Sequence, residues 1–230
     1  MPLKMRFHFL AVFVGVFFLN IILFGQDESP WKKVKDSDGI VAYVQKSPPS
    51  QMKKVKVETV IKSTLSEIVT IIKDAKNHKN WVFFNNFAEI IDNTDELHWK
   101  YYGYTESPWP VCDRDFITCV TLCQNKIDHS ITITSLALPD FLPEKEDCVR
   151  IRNLTSVWYL VPKSNGDVYT VLEIEVDIGG KIPQWLVNMA ITKGPLSTMK
   201  GLIEVLNSNN YHHKKLDYIE ELQINSKPAF

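Results

Sequence analysis

Arg114 and Asp115 are the polar neighbours best placed to do chemistry in this chain, a base and an acid side by side where a loop runs into a predicted strand. A carboxylate can take a proton, and a guanidinium can clamp an oxyanion. Neither has partners at catalytic spacing. The sequence holds no Gly-x-Ser-x-Gly, no His-Glu-x-x-His and no Cys-His arrangement anchored in a motif. His98 and His129 stand alone in strand-like or turn-like sequence. Arg114 and Asp115 are therefore read as structural polar residues that fix the start of a strand by bonding to backbone or a neighbour, and no catalytic residue is assigned. Cys112, Cys119, Cys123 and Cys148 lack zinc-ligand spacing. Cys119 and Cys123 lie about 13 Å apart along a strand, too far for a bridge. The other pairings and free thiols all stay open. No metal or cofactor is expected.

What remains is apolar chemistry, centred on Gly179 to Asn207. Ile182, Trp185, Leu186, Met189 and Ala190 recur at spacings of three and four, and Leu196, Met199, Leu202, Ile203 and Leu206 resume the pattern after Gly194-Pro195. This predicts one long helix, opened by Pro183 in its first turn, with a kink or short break at Pro195. Trp185, Met189 and Met199 would form the ceiling of a hydrophobic site, methionine being adaptable to irregular ligands. Trp99, Tyr101, Phe116, Val120, Leu172 and Ile174, on predicted strands, would form its walls.

The elements that must hold these residues are mostly strands. Trp31 to Lys35 and Ile40 to Lys46 flank a turn at Asp36-Ser37-Asp38-Gly39. Met52 to Ile61 alternates, with Val55, Val57, Thr59 and Ile61 on one face. Thr64 and Glu67 make a capping-box pattern ahead of a short helix ending near Asp74. Trp81-Val82-Phe83-Phe84 is an apolar cluster in what should be a turn. Further strands are predicted over Phe87–Ile91, Leu97–Thr105, Asp115–Cys123 and Ser130–Leu136, then a long one from Val149 to Val161, bulged near Asn153. Asn165-Gly166 signals a tight hairpin into Val168–Ile178. Glu173, Glu175 and Asp177 share the outer face of that last strand, where Arg150 and Arg152 are expected to form a surface charge ladder with them. The class is α+β: about nine antiparallel strands, strongly curved, a short helix after the third strand and a long helix last.

The 230 residues are 45% hydrophobic and carry a net charge of −1. Such a balance lacks the basic footprint of a nucleic-acid binder. Lys4 and Arg6 precede an apolar run from Phe7 to Phe24, followed abruptly by polar sequence. Residues 1–26 read as an export signal cleaved near Gly25 or Gln26, or else as a retained N-terminal anchor. Either places the chain outside the cytoplasm, periplasmic or secreted, or membrane-anchored. One domain is expected over residues 31–207, and residues 208–230 form a polar tail with partial order at best.

Three motifs carry a resemblance. Pro108-Trp109-Pro110-Val111-Cys112-Asp113-Arg114-Asp115-Phe116 is similar to the lead into a central strand of the START family, the steroidogenic-acute-regulatory-related lipid-transfer domains of the helix-grip superfamily. Cys148-Val149-Arg150-Ile151 followed by Trp158-Tyr159-Leu160-Val161-Pro162 is a second match. Gly179-Gly180-Lys181-Ile182-Pro183-Gln184-Trp185-Leu186-Val187-Asn188 resembles the lead into the family's lid helix. The resemblance implies a helix-grip fold whose lid covers a cavity for a hydrophobic ligand. Two positions depart from it: Val82 follows Trp81 where the family often has Asp, and Val120 stands where some sterol carriers place an arginine. A mainly apolar pocket with few polar anchors is expected.

The expected function is non-enzymatic binding or transfer of a lipid-like molecule by a monomer, with transient membrane contact and no nucleic acid. A helix-grip enzyme of cyclase or hydrolase type, or an interaction protein with a filled pocket, are the alternatives.

Overall fold

The computed structural model describes residues 30–45, 53–180, 182–208 and 210–223. Residues 1–26, read as signal or anchor, lie outside the described residues. Ten strands and two α-helices follow in order: β1 (Trp31–Ser37), β2 (Ile40–Gln45), β3 (Lys53–Lys62), α1 (Leu65–Lys73), a 3-10 helix (Ala75–Asn80), β4 (Asn85–Asn93), β5 (His98–Thr105), β6 (Asp113–Gln124), β7 (Ile131–Ala137), β8 (Cys148–Arg150), β9 (Asn153–Pro162), β10 (Asp167–Asp177) and α2 (Gln184–Asn207).

Nine strands form one open sheet in the order β1-β2-β3-β10-β9-β7-β6-β5-β4, every neighbouring pair antiparallel. Local chemistry sets the turns and faces. Asp38 and Gly39 take φ of 57° and 75°, the left-handed pair a two-residue hairpin turn needs. In β3, Val55, Val57, Thr59 and Ile61 are buried as the alternation requires. Thr64 and Glu67 close a complete capping box on α1.

The stretch expected as one bulged strand is two. The chain turns at Ile151 and Arg152, and β8 lies parallel to β6, with Asp115 beside Arg150. This removes Arg150 and Arg152 from the expected ladder. Glu173 and Glu175 face Lys56 and Lys54 of β3 instead, with the Lys54 ammonium 3.9 and 4.0 Å from the two carboxylates. Arg152 pairs with Asp140 and Glu144 in the loop before β8. All four cysteines are free.

Helix α2 continues through Pro195 without the expected break. Packing on both sides of the proline holds it: Leu186 and Ile191 are buried before it, Met199, Leu202 and Leu206 after it. Gly201 lets the second half approach closely, since a Cβ there would sit 2.5 Å from the Trp81 carbonyl oxygen. This half joins Leu65, Ile68, Val69, Val57, Ile61 and Leu160 in a solid core.

Residues 210–223 of the tail are better ordered than their composition suggests. Ile219 is buried, and the Glu221 carboxylate accepts from the Leu65 and Ser66 amides at 3.0 and 2.8 Å. It thereby supplies the negative group that a helix N-terminus favours. The Gln124 side chain exchanges two hydrogen bonds with the backbone of Glu220, and the Tyr211 hydroxyl donates to Asp74.

Candidate functional site

The two halves of α2 behave differently. Met199, Leu202 and Leu206 pack solidly, while Leu186 to Thr198 lie over one hollow, and a second, adjacent hollow reaches the helix at Thr198. The sheet-side cavity, ≈ 180 Å³, is walled by Trp99 and Tyr101 of β5, Phe116, Thr118 and Val120 of β6, Ile133 of β7, Trp158 of β9 and Leu172 of β10. Side chains from five strands can surround one space only because the sheet curves. The helix-side cavity, ≈ 220 Å³, lies under Leu186, Ala190, Ile191, Gly194, Pro195 and Thr198, and is closed below by Val55, Ile174 and Val176 and at the side by Phe83, Phe84 and Pro108. Val82, Ile174 and Thr198 border both. Together the hollows reach the lower part of the roughly 300–1,000 Å³ range of small-molecule sites.

The six expected wall residues, Trp99, Tyr101, Phe116, Val120, Leu172 and Ile174, come together around the sheet-side cavity. The expected ceiling does not. Trp185 is 57% exposed and Met189 partly so, while Met199 is fully buried in the solid half; none of the three borders either cavity. The helix presents Leu186, Ala190, Ile191, Gly194, Pro195 and Thr198 instead.

Sequence reasoning passed over His78 and the Trp81–Phe84 corner as site residues. The signal was present: four apolar residues in a turn are out of place unless they face something apolar. Phe84 turns the corner with φ of 55°, and the Phe83 amide donates to Thr198 Oγ1 at 3.1 Å, fastening the corner to α2. Behind the sheet-side wall, the Asn85 amide donates to the Tyr101 hydroxyl, which lies 2.9 Å from His78 Nδ1. His78 Nε2 is 3.0 Å from the Ile72 carbonyl oxygen. A carbonyl only accepts, so Nε2 carries the proton and Nδ1 accepts from tyrosine. Burial pushes the His78 pKa down to about 4, against the opposing bond to Ile72, and raises that of Tyr101. Both groups are thus neutral near pH 7, and the wall they share carries no charge.

Asp115 and Arg114 diverge despite adjacency. Asp115 is wholly buried and receives Arg150 Nε at 2.8 Å and Nη2 at 2.9 Å. Arg150 also donates to the carbonyls of Pro139, Leu142 and Pro143, fastening the loop before β8. Arg114, also buried, borders the helix-side cavity. Its Nη1 donates to the Cys112 carbonyl and its Nη2 to that of Gly179 at 3.2 Å. Among the described residues no cluster of three or more metal-binding side chains occurs, and no helix is long and apolar enough to cross a membrane.

An open antiparallel sheet gripping a terminal helix over apolar space defines a helix-grip protein. The chain belongs to the START domain family, whose model matches residues 23–211. It is 30% identical over 172 residues to an uncharacterised protein of Pseudomonas aeruginosa, covering 75% of this chain and 84% of that one. It is 22% identical over 189 residues to the mouse phosphatidylcholine transfer protein, covering 80% and 86%. Among solved structures, a STAR-related lipid transfer protein fragment from Xanthomonas axonopodis superposes with a TM-score of 0.71 at 28% identity, over 78% of this chain and 99% of that one. Membership of this family supports lipid binding or transfer.

Proposed function

We propose that this protein binds and carries, or senses, a lipid-like molecule in the space beneath the first half of α2, without changing it chemically. The observation that carries this reading is the contrast along one helix: solid packing from Met199 onward, and under Leu186 to Thr198 an apolar hollow that adjoins a second one within the sheet. Each methylene moved from water into such a space contributes about 0.8 kcal/mol, so an aliphatic chain of ten carbons offsets several kcal/mol of association cost.

The rim suits pick-up from a membrane. Trp109 is 92% exposed, Trp185 57% and Phe84 37%; all three belong to or adjoin the border of the helix-side cavity, and tryptophan favours the membrane–water interface. Gly179 and Gly180, with φ of 67° and 72°, provide a hinge ahead of α2 by which the lid lifts. The protein acts as a monomer outside the cytoplasm, delivered there by residues 1–26.

Native mass spectrometry of the purified protein, followed by organic extraction, tests the reading. Lipid at near one-to-one stoichiometry supports it. A protein that emerges empty and takes up no lipid from vesicles overturns it in favour of an interaction role.

A further inference from the structure

We propose that Arg114 anchors an acidic group of the ligand, a carboxylate or phosphate ester on an amphiphile whose aliphatic part occupies the cavities. This rests on the lipid-binding reading above and narrows it to a class of lipid.

Two buried arginines enter the structure within a few residues of each other in space, and they are treated oppositely. Arg150 is neutralised by Asp115 in a two-pronged ion pair. Arg114, only 4% exposed, has no carboxylate within ion-pair distance among the described residues. Its terminal nitrogens meet two neutral carbonyls, those of Cys112 and Gly179. Its Nε–H is buried with no acceptor. The neighbouring Asp113 carboxylate is already engaged by the Tyr104 hydroxyl and the Ser107 amide. A buried cation with an unmade hydrogen bond is a costly arrangement, and native proteins keep such groups where something else completes them. Burial accordingly draws the guanidinium pKa down.

Position says what completes it. Arg114 lies on the wall of the helix-side cavity, whose lining is otherwise apolar apart from Thr105, Ser107 and Thr198. Gly180 rests against it, a Cβ there coming 3.4 Å from Nη2, so the guanidinium sits beside the backbone that leads into the lid. One cationic point at the edge of greasy space matches a molecule with one anionic head and an apolar body. A guanidinium prefers an oxyanion to a hydroxyl, because the charge-assisted bond is about twice as strong as a neutral one.

The test uses the full-length chain loaded with Nile red, a neutral fluorescent probe, and challenged with palmitate, hexadecyl phosphate, hexadecanol or inorganic phosphate. Palmitate and hexadecyl phosphate are expected to displace the probe at concentrations about tenfold below hexadecanol, and inorganic phosphate not to displace it. In parallel, ¹⁵N-arginine labelling reports the Nε–H signals of the chain's four arginines; palmitate should move one of them strongly and hexadecanol should not. Arg114→Gln should erase both the acid preference and that signal. Equal displacement by acid and alcohol, a preference that survives Arg114→Gln, or an arginine signal moved as far by inorganic phosphate as by palmitate would each overturn the proposal. Failure of every amphiphile to displace the probe would sink the lipid-binding reading itself. The labelling readout uses the unaltered chain, so it decides the matter even if Arg114→Gln does not fold.

Discussion

Asp115 and Arg150, 35 residues apart in sequence, lock β6 to β8 through two hydrogen bonds of 2.8 and 2.9 Å in an interior from which both side chains are almost wholly excluded from water. Breaking such a pair leaves a bare buried charge, which typically costs about 3–5 kcal/mol. Asp115→Ala and Arg150→Ala should each lower stability by that order in urea unfolding. The double variant should lose much less than the sum of the two, as expected for residues that share one interaction.

His78 makes the protein acid-sensitive. Its folded pKa of about 4 lies below the ordinary histidine value of 6.5, so between those pH values the unfolded chain binds the extra proton. Stability therefore rises with pH through that window and falls as pH is lowered from 6.5 towards 4. At about 1.4 kcal/mol per unit, the full effect is about 3 kcal/mol. His78→Gln should flatten the slope of unfolding free energy against pH between 4 and 6.5. A slope identical to that of the parent would show that other groups dominate.

Two glycines should respond differently to alanine. At Gly103 the added Cβ would meet the Phe116 ring at 2.4 Å, and that ring borders the sheet-side cavity, into which it can move. Gly103→Ala should cost about 1 kcal/mol of stability while reducing lipid uptake from vesicles several-fold. At Gly201 the obstacle is the Trp81 backbone at 2.5 Å, which cannot swing aside. Gly201→Ala should cost stability by about 2–3 kcal/mol.

The tail belongs to the stability of the domain. Removing the Glu221 carboxylate strips two amides at the start of α1 of their acceptor, and Glu221→Ala should lower stability by about 1–2 kcal/mol. Ending the chain at Asn207 also uncovers the site of Ile219 and should cost more. Hydrogen exchange at Leu65 and Ser66 in both variants checks that the loss begins at the helix terminus.

Alternation and turn chemistry made the strands, the capping box and the terminal helix readable, because each depends on residues close in sequence. The β6–β8 pairing was not readable, since nothing local in Cys148-Val149-Arg150 says that its partner is a distant parallel strand. The helix misled for a related reason. Trp185 and Met189 share the three-and-four spacing of the apolar face, but Trp185 turns to solvent and Leu186, Ala190, Ile191 and Gly194 line the hollow instead. The wall positions were easier, because period-two alternation fixes which side of a strand faces inward. The order of the tail was not readable because it comes from scattered contacts of Tyr211, Ile219, Glu220 and Glu221 with distant elements, against a polar background.

A sheet that wraps without closing has, among the described residues, two strands without an outer partner, β1 and β4, each a template on which a second molecule could stack. Both are defended. Lys32, Lys33 and Lys35 line the first with charge, Lys33 being paired with Asp36, and irregular register at Asn85–Phe87 and Ile90–Asp92 breaks the row of amides on the second. These are the devices by which open sheets avoid self-association. They make pairing of a second molecule onto a sheet curved around empty space less favourable.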